Sequence, residues 1–150
     1  MASIEIEGLN STLAELTKFG SRGEKAAEDA VKATAINIRA DAVKSIQRGT
    51  KSGRIYQRAG GSNLSATHQA SAPGQAPATD TGALANSIQF TTKGLAGAVF
   101  SRLDYSFWLE YGTLGMAPRP FLAPAAEGRV DFFRRKIEQG LELAAKGFEE

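Results

Sequence analysis

The sequence of 150 residues contains no cysteine, one histidine and no long apolar run. Without cysteine the chain has neither disulfides nor thiolate metal sites, an absence that fits a reducing compartment. No apolar stretch approaches the roughly 18 residues of a membrane span. The first ten residues, MASIEIEGLN, lack the basic and then apolar layout of a signal peptide. We therefore expect one domain over residues 1–150, made in solution and without a membrane contact.

The charge of the chain is nearly balanced, with 18 basic and 16 acidic residues. The excess of two positive charges falls in residues 49–80, which hold Lys51, Arg54 and Arg58 against Asp80. Nucleic-acid-binding domains usually concentrate far more basic charge on one face. The composition therefore gives little support for nucleic-acid recognition.

The N-terminal third predicts one strand and two helices. Residues 3–7 alternate apolar and polar side chains, which predicts a short strand. Residues 10–19 have helical spacing, and Gly20 is expected to end this first helix. Residues 24–48 form the strongest helical pattern. Its apolar face consists of Ala27, Val31, Ala35, Ile38, Ala42 and Ile46.

Residues 50–80 show no periodicity and are rich in Gly, Ser, Ala, Thr, Pro and Gln. Loops of this length in a compact domain are usually functional, or disordered until they bind a partner. We interpret the segment as a mobile arm inserted in the domain; the alternative is a solvated insertion without a role. Arg54, Tyr56 and Arg58 place an aromatic ring between two cations, which suits base stacking and phosphate contact. The low total charge favours the simpler alternative, that they solubilise the arm.

Two strands and a turn are predicted after the arm. A helical turn over residues 81–85 precedes them. Residues 87–92 and 96–102 have strand patterns, and Lys93 with Gly94 supplies the turn that joins them.

Helices close the chain. Apolar residues at i, i+3 and i+4 from Tyr105 predict a helical turn that Gly112 ends. Pro124 suits the first turn of a last helix, whose apolar stripe covers residues 130–148. The predicted fold class is α+β: a small antiparallel sheet packed against one long central helix and a C-terminal helix, with a long mobile loop.

No catalytic or metal-binding motif occurs in the sequence. The single histidine, His68, lies in the arm, where a base is not held against a nucleophile. The acidic residues lack the spacing of an EF-hand or an HExxH helix, and the glycine-rich stretches lack the Lys-Ser ending of a phosphate-binding loop. We predict that the protein is not an enzyme and needs neither a cofactor nor a metal.

Residues 105–121 concentrate large side chains that suit protein contacts. These are Tyr105, Phe107, Trp108, Tyr111, Met116 and Phe121. Aromatic residues, Met and Arg are enriched in interface cores. The alternative is that about half of them cap the core of the domain, since aromatics dominate cores too. Arg119 lies between two prolines that bias its backbone to an extended form, and we interpret it as an interface anchor beside Phe121.

Two segments resemble the signature of a family of small head–tail joining proteins of tailed phages, variously called tail-completion, tail-terminator or minor tail proteins. The first is YSFWLEYGTLGMAPRPFLAPA, residues 105–125, and the second is ASAPGQAPATDTGALANSI, residues 70–88. Pro118 stands where many members have alanine. In the first segment the matching residues are Tyr105, Glu110, Gly112, Thr113, Met116, Arg119, Pro120, Phe121, Pro124 and Ala125. In the second they are Pro73, Gly74, Pro77, Thr81, Gly82, Leu84, Ser87 and Ile88.

The resemblance implies an α+β subunit that forms a ring, commonly a hexamer, at the head-proximal end of a long phage tail. The expected partners are further copies of the chain, the tail-tube protein and the head-connector proteins. DNA is expected to pass through the ring without sequence recognition, and no catalysis or cofactor is implied. The protein would reside in the neck or tail of the virion after assembly in the host cytoplasm. Terminator, neck component and minor tail component all remain open.

We hypothesise that residues 110–121 form one subunit contact, because ring subunits meet head to tail and a loop fixed by glycine and proline loses little entropy on assembly. The proposed contact residues are Glu110, Tyr111, Thr113, Met116, Arg119, Pro120 and Phe121. A second hypothesis is that Arg54, Tyr56 and Arg58 contact a partner, and that the arm becomes ordered when it binds. The alternative function is a nucleic-acid-binding or host-interaction module that uses the basic arm, residues 50–80.

Overall fold

The computed structural model describes residues 9–57 and 67–146, and the side chains of this range from residue 14 onward. The predicted strand at 3–7, Arg58 and Phe148 lie outside the described residues. The fold is α+β, as predicted, and its described strands form two separate antiparallel pairs, β1–β2 and β3–β4. The elements are α1 (Leu9–Arg48), β1 (Ile55–Gln57), β2 (Thr67–Gln69), α2 (Ala83–Ser87), β3 (Ile88–Lys93), β4 (Ala96–Ser101), α3 (Tyr105–Tyr111), α4 (Ala123–Glu127) and α5 (Val130–Lys146).

A single helix, α1, replaces the two helices predicted in the N-terminal third. Its 40 residues span about 60 Å. The prediction that Gly20 ends a helix is wrong. Glycine costs only about 1 kcal/mol relative to alanine inside a helix. Once the later turns of α1 are packed against the rest of the subunit, extending the helix past one glycine is a small cost compared with starting a new one.

The core of the subunit lies where α1 meets α2, β3 and α4. Gly97 lets β4 lie close to α1, since a Cβ on Gly97 would lie 2.9 Å from Val31 Cγ1. Arg39 Nε donates a hydrogen bond of 2.8 Å to the carbonyl of Ile88, which ties α1 to the start of β3. The buried core residues are Ala42, Ile46, Leu84, Ala85, Ile88, Phe121 and Ala125.

The hairpin β3–β4 confirms the two strands predicted after the arm. Ile88 pairs with Ser101 and Lys93 pairs with Ala96, which leaves a two-residue loop that starts at Gly94. Gly94 has a φ of 55°. The first loop position of a type II′ hairpin needs a positive φ, which glycine adopts without a steric cost.

The predicted C-terminal helix is in fact two helices, α4 and α5, with a tight turn between them. The N–H of Gly128 donates to the carbonyl of Pro124, and the N–H of Arg129 donates to that of Ala126, both at 3.0 Å. The Arg129 side chain then forms two hydrogen bonds with Asp41 of α1, of 2.5 Å from Nε and 2.9 Å from Nη2. The apolar spacing predicts one helix because a short change of axis hardly alters that spacing.

Small residues also set the distance between α1 and α5. A Cβ on Gly140 would lie 2.6 Å from Cβ of Ala26, and a Cβ on Gly23 would lie 3.5 Å from Cδ2 of Leu141. Gly140 lowers the helix propensity of α5 but lets the two backbones approach closely at this point.

We expect Gly140→Ala to lower the free energy of unfolding by about 1–3 kcal/mol, because overpacking against Ala26 exceeds the gain in helix propensity. Gly20→Ala is the matched control. A Cβ there meets no atom of the described chain within 4 Å, so it should raise the free energy of unfolding by up to about 1 kcal/mol. Urea unfolding of both variants measures the difference, and two changes of the same sign would contradict the packing argument.

A second prediction concerns pH. The hydrogen bond from Arg129 holds the pKa of Asp41 below its ordinary value. A depressed carboxyl pKa in the folded state stabilises the protein above the unfolded-state pKa of about 3.9, and this contribution is lost as the pH falls through the folded-state pKa. Asp41→Asn should therefore lower the stability at pH 7 and weaken its loss on acidification. Asp29→Asn, an exposed site on the same helix, serves as the control; acid unfolding curves of equal steepness for wild type and Asp41→Asn would refute the assignment.

Candidate subunit-contact site

Glu110 places a buried carboxylate at the end of α3, with 7% of the residue exposed. Its Oε2 accepts hydrogen bonds from the N–H groups of Phe121 and Leu122, at 2.9 and 3.0 Å, and its Oε1 accepts one from Ala123 at 2.8 Å. These donors lie at the start of α4, where N–H groups have no acceptor within the helix. Glu110 therefore caps α4 from another helix and holds together the two ends of residues 111–120, which we call the contact loop.

Gly112 turns the chain out of α3 into the contact loop. Its N–H donates to the carbonyl of Trp108 at 2.8 Å, and its φ is 78°. A Cβ at this position would lie 2.7 Å from the carbonyl oxygen of Met116. Thr113 and Met116 then exchange backbone hydrogen bonds of 2.8 and 3.2 Å. Gly112 thus ends α3, as predicted, and the loop folds back on itself through a tight turn.

The second half of the contact loop is held from two sides. The N–H of Arg119 donates to the carbonyl of Leu109 at 2.7 Å, and the N–H of Gly74 donates to the carbonyl of Pro118 at 2.9 Å. The second bond joins the two sequence segments 70–88 and 105–125. Segments that are separate in the sequence therefore form one structural unit.

The structure separates the seven predicted contact residues into two that are buried and five that are exposed or half-buried. Phe121 is 1% exposed and Glu110 is also buried, so both side chains lie inside the subunit and position the loop. The side chains of Tyr111 and Thr113 are exposed. Those of Met116, Arg119 and Pro120 are half-buried. The prediction of a subunit contact therefore narrows to the five residues that are exposed or half-buried.

An apolar groove of about 1040 Å³ lies beside the contact loop, between α1, β4, α3 and the start of α4. Three aromatic side chains on α3, those of Phe107, Trp108 and Tyr111, remain more than half exposed. The rings of Phe107 and Tyr111 pack at a centroid distance of 4.9 Å. The opposite wall includes Val31, Ala35 and Ile38 of α1. Exposed apolar patches of this kind mark surfaces that bind other proteins.

The base of the arm is ordered on the subunit, which the sequence did not predict. Strands β1 and β2 pair as a short antiparallel hairpin. Lys51 Nζ donates to the carbonyls of Ser45, Ala76 and Pro77, at 3.0 to 3.2 Å. Desolvation by burial lowers the pKa of Lys51. This lysine joins the C-terminal end of α1 to the chain that follows β2.

Two of the three arm residues with predicted contacts lie in the described part of the chain. The guanidinium carbon of Arg54 lies 5.5 Å from the centroid of the Tyr56 ring, in a cation–π arrangement. Both side chains are exposed. Arg58 falls outside the described residues, and the role of all three in binding a partner stays a prediction.

His68, Asp80 and Ser71 surround a small cavity, but they do not form a catalytic hydrogen-bond chain. His68 Nδ1 lies 3.9 Å from Asp80 Oδ1, which is too long for a hydrogen bond. Ser71 Oγ is buried and has no hydrogen-bond partner among the described residues, whereas an activated serine needs one to its base. Over residues 9–57 and 67–146, no group of three or more His, Asp or Glu side chains is placed to hold a metal. In the same range, no helix combines the length and apolarity of a membrane span.

The fold and the site define a small α+β subunit that exposes apolar side chains beside a tightly held loop. Residues 10–112 match the model of the family described as "Bacteriophage HK97-gp10, putative tail-component". This match takes in 103 of the 150 residues, and the chain belongs to this family. It is accordingly a structural component of a phage tail, located in the virion. Neither the curated proteins nor the solved structures gave a match to the chain.

The family match ends at Gly112. It covers α1, both strand pairs and α3, whereas most of the contact loop follows it. The sequence pattern indicated this loop, but it did not indicate Lys51, which joins the end of α1 to the chain after β2, or the buried Ser71. Lys51 had one usable signal, since basic side chains often bind the free carbonyls just beyond a helix. Ser71 had none, because only the tertiary structure places it at the same cavity as Arg119.

We expect Glu110→Gln to lower the free energy of unfolding by about 2–3 kcal/mol, because the amide nitrogen cannot accept a hydrogen bond and leaves a buried N–H of α4 without an acceptor. Glu127→Gln, at an exposed position of α4, should change it by less than about 0.5 kcal/mol. Urea unfolding gives both values. Limited proteolysis within residues 112–118 should also speed up in Glu110→Gln alone, and equal stabilities of the two variants would contradict the capping role.

Proposed function

We propose that this protein forms a ring at the head-proximal end of a phage tail, where it ends tail growth and joins the tail to the head. The supporting observation is apolar surface without a partner in the subunit. Fifteen large apolar side chains of the described residues are exposed by 36% or more, whereas the largest fully buried ones are Phe121, Ile46 and Ile88. Soluble monomers rarely expose large contiguous apolar patches, so this surface suits a subunit of an assembly.

A ring requires two different complementary patches on each subunit, because its contacts run head to tail. One patch is the contact loop with the groove beside it. The other is the N-terminal half of α1, where Leu16 and Phe19 are exposed on the same helical face. An apolar helix and an apolar groove on one chain give the complementarity that a closed ring needs, and the family resemblance favours six copies.

The arm supplies a further surface, which we assign to the tail-tube and head-connector proteins. Arg54 and Tyr56 are exposed on it, close to the ordered base formed by β1 and β2. DNA passes through the ring without sequence recognition, in keeping with the near balance of 18 basic and 16 acidic residues.

The exposed Arg54–Tyr56 pair also favours one alternative function, a nucleic-acid-binding module. Binding to phosphates would weaken steeply with added salt because counterions are released. A filter-binding titration with single- and double-stranded DNA at two salt concentrations distinguishes this alternative from a purely structural role.

We expect Tyr111→Arg to fold normally, because the residue is 69% exposed, and to prevent ring formation, because it puts a charge into the apolar contact. Thr91→Arg, an exposed position on β3, is the control and should leave rings intact. Mass in solution and negative-stain electron microscopy, for the protein alone and with tail tubes added, provide the measurement. Normal rings from Tyr111→Arg would argue against the contact loop as an interface, and absence of rings from the wild type in both settings would argue against the proposed function.

A further inference from the structure

We infer that Arg119 and Ser71 form a binding site for a carboxylate, supplied in the assembly by an acidic side chain of a second copy of this chain. The assignment to a second copy rests on the proposed ring, whereas the carboxylate site rests on the geometry of the subunit alone. The carboxylate site lies next to the contact loop, so the loop would recognise an acidic side chain of the neighbouring copy.

The site is a cavity of about 180 Å³ between the contact loop and the chain that follows β2. Since a water molecule occupies about 30 Å³ in the liquid, the cavity has room for the end of an aspartate or glutamate side chain. Its walls include His68, Ser71, Asp80, Tyr105, Leu109 and Arg119.

Two polar atoms of residues that line this cavity have no hydrogen-bond partner among the residues that the structure describes. Ser71 is 1% exposed, and its Oγ has no hydrogen-bond partner in the described chain. The same holds for the buried Nε of Arg119. Among the residues that the structure describes, no carboxylate lies within 4.0 Å of the Arg119 guanidinium; the nearby Asp80 instead lies beside His68. Buried polar groups are nearly always paired, so two such groups at one cavity indicate a missing partner.

The backbone holds Arg119 in a fixed position. Pro118 and Pro120 flank it, its own N–H is bonded to Leu109, and the carbonyl of Pro118 is bonded to Gly74. The Arg119 side chain is therefore attached to a rigid stretch of backbone. Its planar fork of N–H donors matches the two oxygens of a carboxylate, and a site fixed beforehand loses little entropy on binding.

The chemistry of the cavity favours a carboxylate from protein over a phosphate. Asp80 already places one negative charge on the wall, which disfavours a doubly charged anion, and the tyrosine and leucine suit the apolar stem of an acidic side chain. The chain itself offers suitable donors. Glu15, Glu24 and Glu28 are exposed on α1 and take part in no ion pair within the described range. Among the described residues, one surface thus carries a cation without an anion and another carries carboxylates without a cation, which suits a head-to-tail contact between two copies.

Acetate provides a direct probe of the site in the unassembled protein. We expect sodium acetate to raise the melting temperature of the wild type by roughly 5 °C over sodium chloride at equal ionic strength. Acetamide, which has the same shape without the charge, should have no such effect. Arg119→Gln should remove the rise and Ser71→Ala should reduce it, while the control Arg134→Gln, at an exposed position of α5, should keep it. No rise in the wild type, or an equal rise in Arg119→Gln, would overturn the carboxylate site.

A cross-linking experiment tests the source of the carboxylate. Arg119→Lys places an amine at the cavity, and a water-soluble carbodiimide joins it to an adjacent carboxylate as an amide with loss of water. In rings assembled from a mixture of ¹⁴N and ¹⁵N chains, mass spectrometry should find residue 119 linked to an acidic peptide of the other isotope. Because Asp80 of the same chain also lines the cavity, a link to Asp80 alone decides nothing in favour of a neighbour. Links found only within one chain, links to another virion protein, or no link at all would overturn the assignment to a second copy. Failure of the wild type to form rings counts against the proposed function. The melting temperatures in acetate still test the carboxylate site in that case.

Discussion

The proposed contact surface of this protein depends on the Glu110 carboxylate, which accepts three backbone hydrogen bonds. The Glu110 side chain extends from the end of α3 and accepts hydrogen bonds from the N–H groups of three successive residues at the start of α4. This interaction brings the two ends of the contact loop together, places the Phe121 ring in the core and fixes where α4 begins. Arg129 and Asp41 then fix α5 against α1. A buried charge at this position stabilises the fold because every oxygen is hydrogen-bonded, the condition under which proteins tolerate buried ionised groups.

Positioning of the loop and the proposed contact fall to different residues of the same short segment. Glu110, Gly112 and Phe121 are enclosed or sterically confined, and they determine the path of the chain. Tyr111 and Thr113 lie on the outside of that path. Because the backbone is already fixed within the subunit, binding of a neighbour at the proposed contact would order only side chains, and more of the contact free energy would remain available for association.

Much of the fold could be predicted from local patterns, and the rest depends on distant contacts. The strands β3 and β4, the turn at Gly94 and the end of α3 at Gly112 follow from alternation and glycine placement. The continuous α1 and the break between α4 and α5 do not, because packing decides both. For the site, the sequence identified residues 110–121 but could not separate Glu110 and Phe121 from Tyr111, since burial is a property of the tertiary structure.

The hydrogen bond between Gly74 N–H and the Pro118 carbonyl makes the arm and the contact loop parts of one mechanical unit. A bound partner that displaces the chain after β2 would also displace Pro118, the residue before Arg119. Free-energy coupling between two binding events is reciprocal. In the proposed ring, engagement of the arm would therefore alter the affinity of the loop for its neighbour, and closure of the ring would alter the affinity of the arm for its partner by the same factor. A single backbone contact would then link these two proposed steps of assembly.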